Sequence, residues 1–416
     1  MIKIPKPYDQ IYTTNKPIIL LTGGRGSGKS HESSYAVKRL TYEQGHKILY
    51  TRFTLDSAEI SIIPEFTEKI DLDGDAKYFN VTRKDILNMF SGSEILFRGI
   101  KTSSGNQTAK LKSIHGLTTF VVDEAEEWES EDDFDKLKLS IRTKGVKNRV
   151  IIIMNPPSDS HFIYQKYIKD SHKLVKFDGV PVQISTHKDV CHIHTTYLDT
   201  KDHLSDEFLN DVSEMRKKHM KLSKENQLTS KYALKIIGRW ADKKEGAILT
   251  NWKEGEFDES LPYCYGQDYG FSVDPTTLVK VAVDKREKKI YLDEKYYSKK
   301  PMSTDDIFNA NITSVDKASD LIIGDSAEDR LINELRTRGM NIVGAKKGPG
   351  SVSGGLIKIQ DYEIIVTSNS VNTKYELNNY IWNDKKAGIP VDSNNHIIDP
   401  VRYAFDFLTS SISLWG

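Results

Sequence analysis

Residues 17–40, PIILLTGGRGSGKSHESSYAVKRL, constrain this chain more than any other stretch. Ile18 to Leu21 form a short apolar run of the kind a fully buried strand shows. The run stops at Gly23, and Gly23-Gly24-Arg25-Gly26-Ser27-Gly28-Lys29-Ser30 fits G-x-x-x-x-G-K-[ST], the phosphate-loop pattern. Behind it Tyr35, Ala36, Val37 and Leu40 can share one face of a helix. Each part has a physical task. Glycines let consecutive backbone N–H groups turn toward phosphates, and a helix N-terminus adds about half a positive charge. Lys29 is placed to reach the β- and γ-phosphates, and the Ser30 hydroxyl to ligate Mg²⁺. A plain glycine-rich turn explains neither the strand before nor the helix after, so the stretch reads as a nucleotide-binding loop.

At 416 residues the chain calls for two or three domains. A hydrophobic fraction of 38% supplies packed cores, and no apolar run approaches the roughly 18 residues of a membrane span. The first ten residues, MIKIPKPYDQ, lack a signal-peptide core. Only Cys191 and Cys264 occur, far apart, which suits a reducing cytoplasm and argues against a disulfide framework. Net charge is zero, so composition neither supports nor excludes a nucleic-acid partner, for which local charge decides.

Along the chain, strand-like and helix-like segments alternate as in an α/β sheet. Strands are expected at 47–53 (KILYTRF), 118–122 and 150–154, a helix at 60–70, and a hairpin from 85–90 and 94–100. Residues 101–112 read as a polar, basic loop. The expected domains are a core with the nucleotide-binding loop over 1–180, a linker subdomain over 181–245 with a helix at 206–220, and a third domain over 246–416. In that last part 263–269, 276–284 and 289–293 read as a three-strand meander. Strand 321–325, helix 328–337, strand 341–345 and a final helix over 398–408 follow.

Two groups of residues carry chemistry. Val121-Val122-Asp123-Glu124 closes an apolar strand with two acids, as a Walker B segment does: Asp123 would hold Mg²⁺ and Glu124 would activate water. Glu126, Glu127, Glu129 and 131–133 continue the acidic run and read as a solvated helix start. Asn155 ends the strand 150–154 and can sense a γ-phosphate, or simply form an Asn-Pro turn. The second group is Asp268, Asp325 and Asp399, each at the end or start of a separate element. Two unit charges about 4 Å apart repel by about 4 kcal/mol at an effective dielectric of 20. Convergence of the three therefore calls for cations, and two metals about 3.5–4 Å apart would clamp an in-line phosphodiester displacement. The meander–strand–helix order is that of a ribonuclease H-like fold. His396 can stabilise a leaving group or position water, or serve as a cap residue. Cys191, His192 and His194 lack a fourth ligand, which disfavours a metal. The basic loop 345–351 can touch backbone phosphates or be a solvated turn.

With these residues assembled, the chain resembles the large terminase subunits of tailed bacteriophages, DNA-packaging motors with an ATPase and a nuclease in one polypeptide. GGRGSGKS, SEILFRG, KLKSIHG, VVDEAEE, IIIMNPP, TTYLD, GRWADKKEGAI, GQDYGFSVDP, IGDSAEDR, AKKGPGS and HIIDPVRYAF occur in the family's order over nearly the whole length. The resemblance implies an α/β fold: a P-loop ASCE-type ATPase domain, a small linker subdomain and a C-terminal ribonuclease H-like nuclease domain. It implies ATP–Mg²⁺ on Gly23 to Ser30, Asp123 as Walker B acid and Glu124 as base. By the same resemblance, Asn155 would fall in the segment that couples hydrolysis to movement. Asp268, Asp325 and Asp399 are the implied ligands of two Mg²⁺ or Mn²⁺ ions, with His396 beside them. The family often supplies an arginine before Walker B in trans. Here that segment offers Lys110 and Lys112, so the finger is Lys112, Arg142 or Arg25, and a lysine lacks the guanidinium fork. The implied function is ATP-driven translocation of double-stranded DNA into a procapsid and cleavage of concatemeric DNA. Implied partners are a small terminase subunit and the portal protein, with a homo-oligomeric ring on the portal, in the host cell cytoplasm and away from membranes. The competing readings are a helicase–nuclease of DNA repair and a nucleotide-dependent switch; the paired acids Asp123 and Glu124 weigh against a switch.

Overall fold

A strand that is apolar on both faces needs a packed layer on each side, and Ile18–Gly23, buried at every position, has both. The computed structural model describes residues 6–52, 54, 58–102, 105–106, 111, 113–128, 130–242, 246–270, 274–348, 350–383 and 388–410. The chain divides into two compact units, 1–242 and 243–416, each with its own principal sheet.

The first sheet has eight strands. From one edge they run Val190–Thr195, Ile18–Gly23, Arg149–Met154, Thr119–Val122, Lys47–Arg52, Glu94–Gly99, Asp85–Asn88 and Phe79–Val81. The first six are parallel, and the last two add an antiparallel edge. Strand Arg149–Met154 thus separates the phosphate-loop strand from the strand that ends in paired acids, the order of an ASCE-type ATPase. Alternate side chains feed two cores. Ile18, Leu20, Phe120, Val122, Ile152 and Met154 lie in one, and Ile19, Leu21, Val121, Ile151 and Ile153 in the other. The expected helix at 60–70 begins as a π-helical turn, Ala58–Ile62, and continues as Ile63–Leu72, with Pro64 just past the junction of the two. Residues 190–195, within the stretch expected to be a linker, form the edge strand of this sheet. Their polar members His192 and His194 hide the apolar pattern a parallel strand usually shows. A hairpin, His172–Phe177 with Val180–Ser185, and the helix Asp206–Met220 share a small core of their own around Tyr197, Val212, Tyr232 and Ile236.

The second sheet has seven strands. Tyr263–Asp268, Thr276–Asp284 and Lys289–Ser298 form the antiparallel meander. Ile322–Gly324 and then Ile342–Gly344 lie parallel beside Tyr263–Asp268. On the other side, Glu363–Val366 and Trp252–Glu254 extend the sheet. This is the ribonuclease H-like strand order with two strands added. The helix Ile398–Ser410 buries Ile398, Val401, Ala404 and Phe405 in the core beneath the meander. It approaches so closely that a Cβ on Gly266 would lie 2.1 Å from the Pro400 carbonyl oxygen. That contact draws the start of the helix, and Asp399 with it, toward Asp268. No helix among the described residues is long and apolar enough to cross a membrane.

Candidate functional site

The phosphate loop turns between strand Ile18–Gly23 and helix Lys29–Leu40, with Gly26 and Gly28 at φ +74° and +80°. It is braced from behind. Tyr8 Oη donates to the Ser27 carbonyl at 2.7 Å, Thr200 Oγ1 donates to the Gly26 carbonyl, and the Arg25 N–H donates to Lys235 O at 2.9 Å. A Cβ on Gly24 would lie 1.9 Å from the Ile236 carbonyl, so only glycine permits that packing. Lys29 is buried, and its ammonium donates to Gly23 O and Gly24 O at 3.0 Å, Ser27 Oγ at 3.1 Å and Asn155 Oδ1 at 3.0 Å. Burial brings its pKa down to about 8, against the pull of Glu126 and Asp123. Ser30 and Arg25 line the same cleft as Asp123, Glu124, Glu126 and Asn155.

Asp123 is 1% exposed. Glu124 follows it at φ +53°, a left-handed conformation uncommon outside glycine and asparagine, which turns the chain sharply out of the strand. Arg52, which sequence reading did not single out, holds both acids. Its Nε reaches Asp123 Oδ2 at 2.8 Å and its Nη2 reaches Glu124 Oε1 at 2.9 Å. The signal was available: Arg52 ends an apolar strand that pairs in parallel with Thr119–Val122, so both strands end at one edge. Burial raises the pKa of both acids, with Arg52 working against it. Replacing Arg52 by Met leaves two carboxylates without their cation and is expected to cost about 3 kcal/mol. The check is the melting temperature of the nucleotide-free chain, which should drop; an unchanged value contradicts the clamp.

Glu126 corrects an expectation. It is not part of a solvated helix start: a 3₁₀ turn, Ala125–Glu127, folds it back into the cleft. There it accepts from Asn155 Nδ2 at 2.8 Å and from the Asn155 N–H at 3.2 Å. Lys29, Asn155 and Glu126 thus form one hydrogen-bonded chain across the cleft. Of the basic candidates, Arg25 and Arg142 are exposed, and Lys110 and Lys112 lie outside the described residues, as does Glu129. His192 Nε2 and His194 Nδ1 both meet Thr22 Oγ1, at 2.7 and 2.8 Å, and His194 Nε2 meets Ile237 O at 2.9 Å. Burial pushes both pKa values down to about 3, so these rings are neutral pillars of the sheet edge.

In the second unit, Asp268 ends its strand, Asp325 follows the parallel neighbour Ile322–Gly324, and Asp399 lies in the first turn of Ile398–Ser410. Tyr403 stands among them: its hydroxyl donates to Asp325 Oδ2 at 3.2 Å, and after burial the charges of Asp399, Asp325 and Asp268 all push its pKa up. His396 Nδ1 lies 3.4 Å from Asp268 Oδ2, and its Nε2 lies 3.8 Å from Asp274 Oδ1. Burial opposes charge on this ring, yet Asp268, Glu376 and Asp274 together raise its pKa. Arg402 donates from Nε and Nη2 to Asp399 Oδ1 at 3.0 and 2.9 Å, and Lys347 pairs with Asp325. Three carboxylates are the hard oxygen donors that Mg²⁺ or Mn²⁺ takes. In this conformation, among the described residues, no three His, Cys, Asp or Glu side chains are gathered tightly enough to hold an ion.

Glu376 is a second residue that sequence reading passed over. It is buried and accepts from the Ile397 and Ile398 N–H groups at 2.7 and 3.3 Å, anchoring the segment that carries His396 and Asp399. Burial raises its pKa to about 7. The folded chain therefore binds a proton that the unfolded chain has released, and stability falls as pH rises between about 4.5 and 7. Across that window the wild-type melting temperature should fall relative to that of Glu376→Gln; parallel curves contradict this reading.

Comparison with known proteins gives the family. The family model described as phage terminase large subunit matches residues 15–229, and that described as terminase RNAseH like domain matches 268–407. The chain is 27% identical to the terminase large subunit of Bacillus phage SPP1, covering 95% of this chain and 93% of that protein. It is 25% identical to the PBSX phage terminase large subunit of Bacillus subtilis, covering 96% and 92%. A solved structure of the SPP1 large terminase nuclease domain with bound Mn is 30% identical over 38% of this chain and 97% of that one, at a TM-score of 0.32. The first match alone spans more than half the sequence, and the chain belongs to the phage terminase large subunit family.

Proposed function

We propose that this chain is the motor and nuclease of phage DNA packaging: it hydrolyses ATP to drive double-stranded DNA into a procapsid and cuts concatemeric DNA. What carries the ATPase half is the cleft in which Lys29 faces Asp123, Glu124, Glu126 and Asn155. The acceptors now on Lys29 are neutral oxygens and an amide, which a charged phosphate outcompetes. Mg²⁺ held by Ser30 and Asp123 would neutralise charge on the phosphates. Glu124 accepts the proton of the attacking water, and burial, which raises its pKa, suits it to that task. Asn155, released by Lys29, reports the γ-phosphate to Glu126. The trans-acting cation comes from Arg25, Arg142 or Lys112 of a neighbouring copy in a ring on the portal protein.

For the nuclease half, Asp268, Asp325 and Asp399 would hold two Mg²⁺ or Mn²⁺ ions, which activate water and take up charge on the leaving oxygen. His396, whose pKa is raised by its acidic neighbours against burial, would steady the leaving group. A small terminase subunit would select the DNA, and the reaction would run in the host cytoplasm at the procapsid portal. The discriminating experiment pairs ATP turnover with strand separation on one labelled linear duplex. Duplex-stimulated turnover without unwinding is expected; unwinding would favour a helicase–nuclease of repair.

A further inference from the structure

Each acid of the nuclease cluster already has a partner, and the partners differ in how firmly they are held. On Asp399 the partner is Arg402, 3% exposed, whose Nη1 also donates to the Ser351 carbonyl at 3.3 Å. Its two bonds to Asp399 both fall on Oδ1, leaving Oδ2 with one long contact, 3.4 Å from Asn395 Nδ2. Arg402 can stay in place while Asp399 takes up another ligand. Asp325 is different. Its Oδ1 accepts from both Lys347 and the Ala327 N–H, the latter at 2.8 Å, and its Oδ2 accepts from Tyr403. A divalent cation approaching either oxygen of Asp325 meets the positive charge of Lys347, the one cation among these partners. The Ala327 amide belongs to the turn that caps the next helix, and Tyr403 is buried in the helix that carries Asp399. Lys347 has a side chain 38% exposed, on a surface loop with Gly348 and Gly350 beside it and open space around both glycines. It is the partner that leaves at least cost. Its ammonium also lies 5.2 Å from the centre of the Tyr403 ring, and its charge acts on Asp399 as well as Asp325.

We propose that Lys347 is a displaceable counter-ion of the nuclease site, holding Asp325 until a divalent cation takes its place. The proposal rests on the nuclease reading of Asp268, Asp325 and Asp399. Metal binding is then a competition, and the apparent affinity is reduced by the fraction of time Lys347 spends on Asp325. The sequence loop that could have been a solvated turn acquires a purpose: it keeps the acids apart from metal until the ion concentration, or metal brought in with DNA, overcomes the lysine.

The test is Mn²⁺ binding to the full-length, nucleotide-free chain, read from the electron paramagnetic resonance signal of free Mn²⁺. Lys347→Met keeps the length of the side chain and removes its charge, and its exposed position puts folding at little risk. It should bind Mn²⁺ about tenfold more tightly at the sites lost in Asp268→Asn, as expected if the lysine is in place about nine-tenths of the time. Lys347→Arg keeps the charge and should bind no more tightly than wild type. Unchanged or weaker binding by Lys347→Met overturns the proposal, as does tightening by Lys347→Arg. If wild type and Asp268→Asn bind Mn²⁺ alike, the nuclease reading itself fails and the proposal goes with it.

Discussion

Glu124→Gln is expected to lower duplex-stimulated ATP turnover by about a thousandfold, within the 10²–10⁴ range that a positioned general base supplies. The substitution is isosteric, and the remaining amide oxygen can still accept from Arg52 Nη2, so the cleft keeps its shape. What it loses is the proton acceptor. Phosphate release in the presence of linear duplex is the measurement, with nuclease activity of the same preparation as the control for folding. Unchanged turnover would move the base elsewhere, and Glu126, the other half-buried acid of the cleft, would be the first candidate.

Asp268→Asn should abolish plasmid nicking in Mg²⁺ or Mn²⁺, by more than the roughly 100-fold that loss of a group merely supporting a metal ligand costs. Asp268 ends an interior strand of the second sheet, and it takes the His396 ring as its partner. Asparagine keeps the shape but halves the oxygen donors and removes the charge. Equal cutting by the variant would remove Asp268 from the site. ATP turnover, housed in the other unit, should be unaffected.

Much of this was legible in local pattern. The phosphate loop, the acids that end Thr119–Val122 and the asparagine after Arg149–Met154 are each written within a few consecutive residues. Strand order was the less visible layer, and it decides which distant side chains meet. Arg52 lies 71 residues from Asp123 and reaches it only because their strands are parallel neighbours. Glu126 looked like one acid in a run of acids; the 3₁₀ turn that aims it at Asn155 depends on the sharp backbone turn at Glu124. Glu376 sits in a helix, Val371–Asn379, with no motif around it, and its importance comes from the two backbone amides it satisfies. In each case the missing information was a tertiary partner, which periodicity does not encode.

The central claim, that hydrolysis in the first unit moves duplex DNA and chemistry in the second only cuts it, is tested most directly by packaging in vitro. Procapsids bearing the portal, the small terminase subunit and linear duplex with ready-made ends are mixed with ATP, and DNA protected from nuclease digestion is measured. Wild type and Asp268→Asn should protect similar amounts of this pre-cut DNA, and Glu124→Gln should protect none. Protection by Glu124→Gln, or its loss in Asp268→Asn, would contradict the account.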